Sequence, residues 1–540
     1  MSKSRSIRTG FALSAAATAV LSLAAAALAD DPRGVSQSGE QKNMRRVGHA
    51  DLQGRPSYHP TFIKYPDGRV IAFAGTHSNT TDNGPRPNPL KPGSPLEPNG
   101  TMIVDITDPS RPVEKFHIPG PVAGAQTQSN RACLGSDLPG GTPGHVYLMR
   151  NVQSNTLSIS GYEVWDVTNV NGPSLVGQMR NLRNTHKHWW ECKTGLAYLP
   201  GSKAAPRWRQ GQSMMIVDWS NPASPIYLRT HGLQGAQPSG TGPTPPSLHG
   251  AISAHEHPNA AGKLARGATT DDVIGNRIYA AWGVGDDGVL QVLDRKKLLP
   301  PPYGTFSGDP DDPTNAQLEA PQTSILYMSP DQGGHTSFPV FGLTPKSYQD
   351  FTEFKTRDIV LLASESTADK CAEAPHWSFV VDVTVENSKT APPGTRVQQN
   401  VWQGPTVLST MWLDPRAGEK FPRGNYCKRG ARFGVHSSEE NFANPFYGRL
   451  TFLAYFTGGV RAYDIREPQG PVEVGFYVPQ SNALTLPDGY MTNNLEVDDR
   501  GYIIAVDRNG AGMDILELHG KAKKIGLGQD TGRDHDDDDD

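Results

Sequence analysis

The stretch from Met102 to Pro112 reads MIVDITDPSRP, a short apolar strand that ends on Asp105 and runs into a turn of Asp, Ser and Pro. Variants follow along the chain as YEVWDVTN, MMIVDWSNPASP, LQVLDR, FVVDVTVENS, VRAYDIREPQGP and MDILEL. They place the same acid at Asp166, Asp218, Asp294, Asp382, Asp464 and Asp514. Copies spaced by roughly 50 to 90 residues mark a repeat architecture, in which one supersecondary unit stacks on the next to bury a shared core.

Upstream of each copy stands a second apolar run, such as RVIAFAGT, HVYLMRN or RLTFLAYFT, and before that a third, less apolar segment such as YHPTFIKY or GVHSSEENF. After the Asp a Pro- and Asn-rich turn leads to a fourth strand, such as VEKFHIP or VEVGFYV. Pro presets φ in such turns, and Asn and Asp tolerate left-handed backbone. Four strands in a meander, repeated seven times, predict an all-β fold: a seven-bladed β-propeller with four-stranded antiparallel blades and long inserted loops. The blades are expected near 53–120, 128–180, 186–232, 249–329, 333–414, 433–479 and 490–518. The last has no fourth strand after MDILEL, so residues 43–52 are expected to complete it and close the ring. Pro- and Gly-rich stretches at Asn83 to Gly100, Gln234 to Pro246 and Pro300 to Pro321 read as loops between strands.

The repeated strand resembles the LVIVD-repeat family of β-propellers, named for a strand of that pattern followed by Asp and a Pro-containing turn. MIVDITDPSRP, MMIVDWSNPASP and VRAYDIREPQGPVEVG carry the likeness best; LQVLDRKKL and FVVDVTVENS carry it least. Such a resemblance implies a fold and not a reaction.

At the N-terminus Lys3, Arg5 and Arg8 precede an Ala-rich apolar run from Phe11 to Leu28 and the small-residue sequence Ala27-Leu28-Ala29. That order predicts a signal peptide over residues 1–29 and export to a periplasm or beyond. The formal charge of −4 becomes about −7 without those three cations, and no basic run offers a footprint for nucleic acid. No later stretch approaches the ~18 consecutive apolar residues of a membrane span. Residues 521–540, ending in Asp536 to Asp540, read as a disordered acidic tail.

Four cysteines in an exported chain argue for two disulfides. Three pairings are open, and the blade map favours Cys133 with Cys192 and Cys371 with Cys427. A thiolate ligand role for Cys192 is the competing use.

Function is read from the starts of the first strands, which line the central channel of a propeller. There the blades offer His59, Asn130, His186 with His188, His255 with His257, His335, His436, and Asn493 or Asn494. Five of the seven carry His, out of 16 in the chain, which is the arrangement a transition metal needs. Structural hydrogen bonding in a wet channel is the plainer use of such His, although Ser, Thr or Asn would serve it as well. His186/His188 and His255/His257 are two apart, so on a strand each pair would share a face and chelate one ion. Glu191, Glu256 and Glu440 stand beside them as candidate acid–base groups, and Trp189 and Trp190 as candidate pocket walls.

The expected function is an exported oxidoreductase with a transition metal, copper favoured and Zn, Mn or Fe as alternatives. It would act on a small-molecule substrate and draw on a periplasmic redox partner. In architecture and ligand placement the chain resembles His-rich copper propellers: nitrous oxide reductase, thiocyanate dehydrogenase and the methanethiol oxidases of the selenium-binding protein family. THKHWWECKTGLAYL is similar to the last group's placement of His before a Cys-containing inner strand. A metal-dependent lyase or hydrolase using the same His is the first alternative. A non-catalytic LVIVD-repeat binding scaffold is the second.

Overall fold

The structure, a computed structural model, describes residues 40–77, 84–267, 269–353, 355–386 and 405–530; the expected leader and the terminal run of aspartates lie outside them. Its first complete unit pairs Ser57–Lys64, Val70–Thr76, Gly100–Asp105 and Val113–Pro119 in sequence order as an antiparallel meander. The same four-strand order recurs down the chain, with first strands at Asn130–Leu134, Trp189–Trp190, Leu248–Ser253, Thr336–Leu343, Phe433–Ser438 and Thr492–Val497.

Among the described residues the strands fall into six sheets, because a single pair, Phe456 with Thr492, joins the last two sets into one nine-stranded sheet. Divided at that pair, the sets number seven. First strands of successive sets touch, the second and third sets being joined by the Cys133–Cys192 disulfide, and Thr492–Val497 returns to touch Ser57–Lys64, so the ring closes on itself. The fold is a β-propeller.

The repeated Asp explains the local geometry. Asp105 accepts the backbone N–H of Thr107 at 3.0 Å, and the Thr107 hydroxyl oxygen accepts the N–H of Val70 at 3.0 Å. Asp166, Thr168 and Val146 repeat this arrangement, as do Asp382, Thr384 and Asp358. The Asx turn ends the third strand while its Thr closes the start of the second. Second strands are buried along their whole length, as in Val70–Thr76, Val146–Val152 and Leu450–Phe456. Both of their faces meet neighbouring sets, and burial of each large apolar side chain stabilises the fold by about 1.5–3 kcal/mol.

The N-terminal strand Met44–Ala50 pairs antiparallel with the last strand, Met513–Leu518, and so supplies the missing fourth strand. Gln41–Lys42 adds a further edge to Val472–Tyr477. One boundary is corrected. Residues expected in a disordered tail from 521 form the helix Gly520–Gly526, whose Ala522 and Ile525 are buried in an apolar cluster with Phe446 and Leu450. The acidic composition of the last residues masked this short amphipathic segment.

Both disulfides join the expected partners, Cys133 with Cys192 and Cys371 with Cys427, each with Cα atoms 5.4 Å apart. Cys192 is therefore not a thiolate ligand. Among the described residues no helix is long and apolar enough to cross a membrane.

Candidate metal centre

A bulge between Ser57 and Pro60 turns Tyr58 into the axis of the ring. Its hydroxyl lies 3.5 Å from His186 Nε2, 3.3 Å from His249 Nε2 and 3.3 Å from His335 Nε2. His436 completes the group, its ring centroid 4.2 Å from that of His335 and 5.4 Å from that of Tyr58. Glu365, just past the strand Arg357–Ala363, places carboxylate oxygens 3.5 Å from His335 Nε2 and 3.6 Å from His436 Nε2. Its charge is matched by Arg432 at 2.9 Å and by Arg508 at 3.6 Å.

The far side of each ring sets which nitrogen carries the proton. His436 Nδ1 is 2.7 Å from the carbonyl oxygen of Asn493, and His249 Nδ1 is 2.9 Å from that of His335. A carbonyl only accepts, so these Nδ1 atoms donate and each Nε2 keeps its lone pair. His186 Nδ1 meets Gln128 Oε1 at 2.9 Å, an oxygen that also accepts from Asn151. His335 Nδ1 faces the Thr336 hydroxyl at 3.0 Å.

All four rings stay neutral. Burial pushes His186 down to about 3, helped by the nearby charge of Arg508, and holds His249, His335 and His436 well below the ordinary histidine value. Three Nε2 atoms surround a single O–H, which can donate to only one of them, and among the described residues His436 Nε2 beside them has no hydrogen-bond partner. Neutral imidazoles with their outer nitrogens held by acceptors are the donor set that late transition metals take. His249, His335 and Glu365 together could hold an ion.

A second buried group lies further along the axis. His59 Nε2 is 3.4 Å from Glu440 and 3.8 Å from Glu496, which could also hold an ion. Glu440, however, is already ion-paired with both Arg131 and Lys187. Those two cations hold its carboxyl far below the usual range despite burial, and they oppose a second positive charge. The imidazole group has the chemistry of a metal site; this one has the chemistry of an ion-pair knot.

A family defined by the LVIVD repeat matches residues 97–118 and 209–230, the third and fourth strands of the first and third sets. The chain carries LVIVD repeats within a β-propeller. Among solved structures, Sqt1 of Chaetomium thermophilum bound to the N-terminus of ribosomal protein L10 is similar at 10% identity. It covers 88% of this chain and 99% of its own, with a TM-score of 0.46. The β-propeller domain of Cps50 (Swd1) from Myceliophteria thermophila is similar at 9% identity over 88% and 99% of the two chains, with a TM-score of 0.41. Among curated proteins no relative matches the chain.

Within this LVIVD-repeat propeller the expected ligands part company. His186, His335 and His436 meet at the axis. His59 does not join them, because the bulge gives that place to Tyr58. His188 is buried against Tyr162, ring centroids 5.4 Å apart, with neither nitrogen hydrogen-bonded. Residues 185–188 precede the strand Trp189–Trp190, so the alternation that would align His186 with His188 does not apply.

The pair His255/His257 is displaced for a different reason. The inner strand is Leu248–Ser253, and Ser253 caps a 3-10 turn that carries Ala254–Glu256 past its far end. His257 packs between Phe341 and Phe442, ring centroids 5.3 Å away in each case. His249, one residue into the strand, is the ligand-position His of this blade.

Glu191 is no acid–base group. It is fully buried and saturated by Arg295, Tyr198, Ser253 and Thr194. Glu256 and Glu440 line a cavity away from the imidazoles. Sequence reading missed Tyr58, His249 and Glu365. The run SLHGAIS, β-like and opening on His, was the available signal for His249.

Proposed function

We propose that this protein is a metal-dependent oxidoreductase of an exported compartment, with His186, His249, His335 and His436 holding a late transition ion, copper first. The observation that carries this reading is the crowding of Nε2 atoms around one Tyr58 hydroxyl, those of His186 and His249 left as acceptors by the groups behind their rings. Carboxylate-rich Ca²⁺ or Mg²⁺ sites have the opposite donor chemistry. Such an ion supplies one-electron chemistry or Lewis acidity when bound.

The chain's own residues define the rest. Tyr58, its hydroxyl fully buried and its proton held well above the ordinary tyrosine range, remains a neutral donor beside the donor set. Glu365, fixed by Arg432, stands 3.5 and 3.6 Å from the Nε2 atoms of His335 and His436 as a further oxygen donor for the ion. His77 and Arg508, 3.1 Å apart at their nearest nitrogens, stand beside Tyr58, where a small substrate would approach. Two disulfides and the absence of a membrane-spanning helix among the described residues are compatible with an extracellular protein.

A hydrolytic or eliminating role with Mn, Zn or Fe rests on Glu365, a carboxylate close enough to the imidazoles to take a proton. Elemental analysis of protein exported by a copper-supplied host, together with electron paramagnetic resonance, separates the two. Stoichiometric copper with nitrogen hyperfine structure supports oxidation. A silent d¹⁰ ion moves the reading to hydrolysis, and a metal-free protein overturns both.

A further inference from the structure

Beyond the imidazoles, past the Glu440 knot, the axis opens into a cavity of about 210 Å³. Its wall includes Phe62, Trp189 and Phe442 as apolar surface and Arg131, Glu256 and Glu496 as polar surface. We infer that this cavity binds a small organic cation, an amine with an apolar body, through the carboxylates of Glu496 and Glu256.

Three observations carry the assignment. Glu496 is 3% exposed and its Oε1 has no hydrogen-bond partner, so a buried acceptor is left unmatched in the wall. A buried unpaired acceptor is costly, and a donor that fills it recovers that loss. Among the described residues neither Glu496 nor Glu256 forms a salt bridge with Lys or Arg, whereas the one cation in the wall, Arg131, is committed to Glu440 and to the face of Trp189, 4.0 Å from the ring centroid. Acids therefore outnumber free cations in a space partly walled by aromatic rings, the setting in which ammonium groups are recognised.

The protonation of the two carboxyls in the wall agrees. Burial pushes Glu496 up to about 8, with Glu440 and Glu439 adding to the shift and Arg131 opposing it. Burial pushes Glu256 up to about 7, with Glu191 adding and Lys193 opposing. A ligand cation would take the place of those protons.

The reading goes beyond the metal centre and is tested apart from it. Titration calorimetry on the full exported protein with benzylamine, benzyl alcohol and benzoate compares three probes of one shape and different charge. Benzylamine should bind, benzoate should not, and binding should release protons, seen as a dependence of the heat on buffer ionisation enthalpy. Glu496→Gln should weaken benzylamine by at least about tenfold. Should that variant fail to give a native circular dichroism spectrum, Glu256→Gln takes its place with the same expectation. Benzoate binding as tightly as benzylamine, undiminished binding by the folded variant, or no benzylamine binding at all overturns the assignment. Metal content, measured on the same samples, is expected to be unchanged and bears on the other reading alone.

Discussion

His49 Nδ1 lies 2.7 Å from Asp514 Oδ1, on the register pair that joins the N-terminal strand to the last repeat. The last of the seven repeated acids thus takes its partner from the opposite end of the chain. Burial of His49 lowers its affinity for a proton, but hydrogen bonds to Asp51 and Asp514 outweigh burial and raise it to about 9.

Because the folded value lies above the ordinary 6.5, the pair stabilises the closed ring fully below about pH 6.5. That contribution is lost as pH climbs through about 9. His49→Gln is expected to lower stability by about 1–2 kcal/mol at pH 6, allowing for solvent screening, and by little at pH 10. Chemical denaturation at both pH values measures the difference, and an equal loss at the two would exclude the ion pair as its source.

Metal retention should separate His249 from the His pair six and eight residues beyond it. His249→Ala and His436→Ala are expected to lose most bound metal after dialysis, whereas His255→Ala and His257→Ala keep it. Removing the acceptor behind a ligand has a smaller effect, typically 10- to 100-fold in affinity; Gln128→Ala, behind His186, should fall in that range. Inductively coupled plasma analysis after chelator challenge reads all five.

Glu440 should be a stability residue. Glu440→Gln leaves Arg131 and Lys187 buried without their counter-charge, at a cost of about 3–5 kcal/mol. Thermal melts should show a large drop with unchanged metal stoichiometry. Loss of metal without loss of stability would restore the second group as an ion site.

The Cys371–Cys427 bridge closes 56 residues of chain and ties the loop after Glu365 to the segment before Phe433–Ser438. Chain entropy alone predicts a loss of about 4 kcal/mol for Cys371→Ser/Cys427→Ser. Since Arg432 holds Glu365 from that same segment, the variant should also shift the visible or paramagnetic signal of the metal-loaded protein. An unchanged signal would separate the bridge from the site.

The fold was legible because its signal is local and repeated: Asp105, Asp166 and Asp382 each cap a turn within two residues, and that chemistry writes itself into the sequence as D-x-T. The axial imidazole group was only half legible. His186, His335 and His436 stand where a strand-start reading puts them. His249 was passed over because the more conspicuous HEH lies one strand-length further on, and composition does not mark which end of the strand faces the axis. Tyr58 was hidden by a one-residue bulge, which exchanges neighbours on a strand without leaving a trace in periodicity. Glu365 follows a second strand, not a first, so no rule about strand starts reaches it.

The orienting contacts of the rings have a further implication. His436 is steered by the backbone of Asn493, His249 by that of His335, and His186 by the side chain of Gln128, in each case a neighbouring set of strands and not its own. The donor set is therefore a gauge of the spacing between neighbours around the ring. A substitution far from the axis that spreads two units by a fraction of an ångström would turn an imidazole before it melted a strand, so metal affinity should decline ahead of the melting temperature when the outer wall of this protein is weakened.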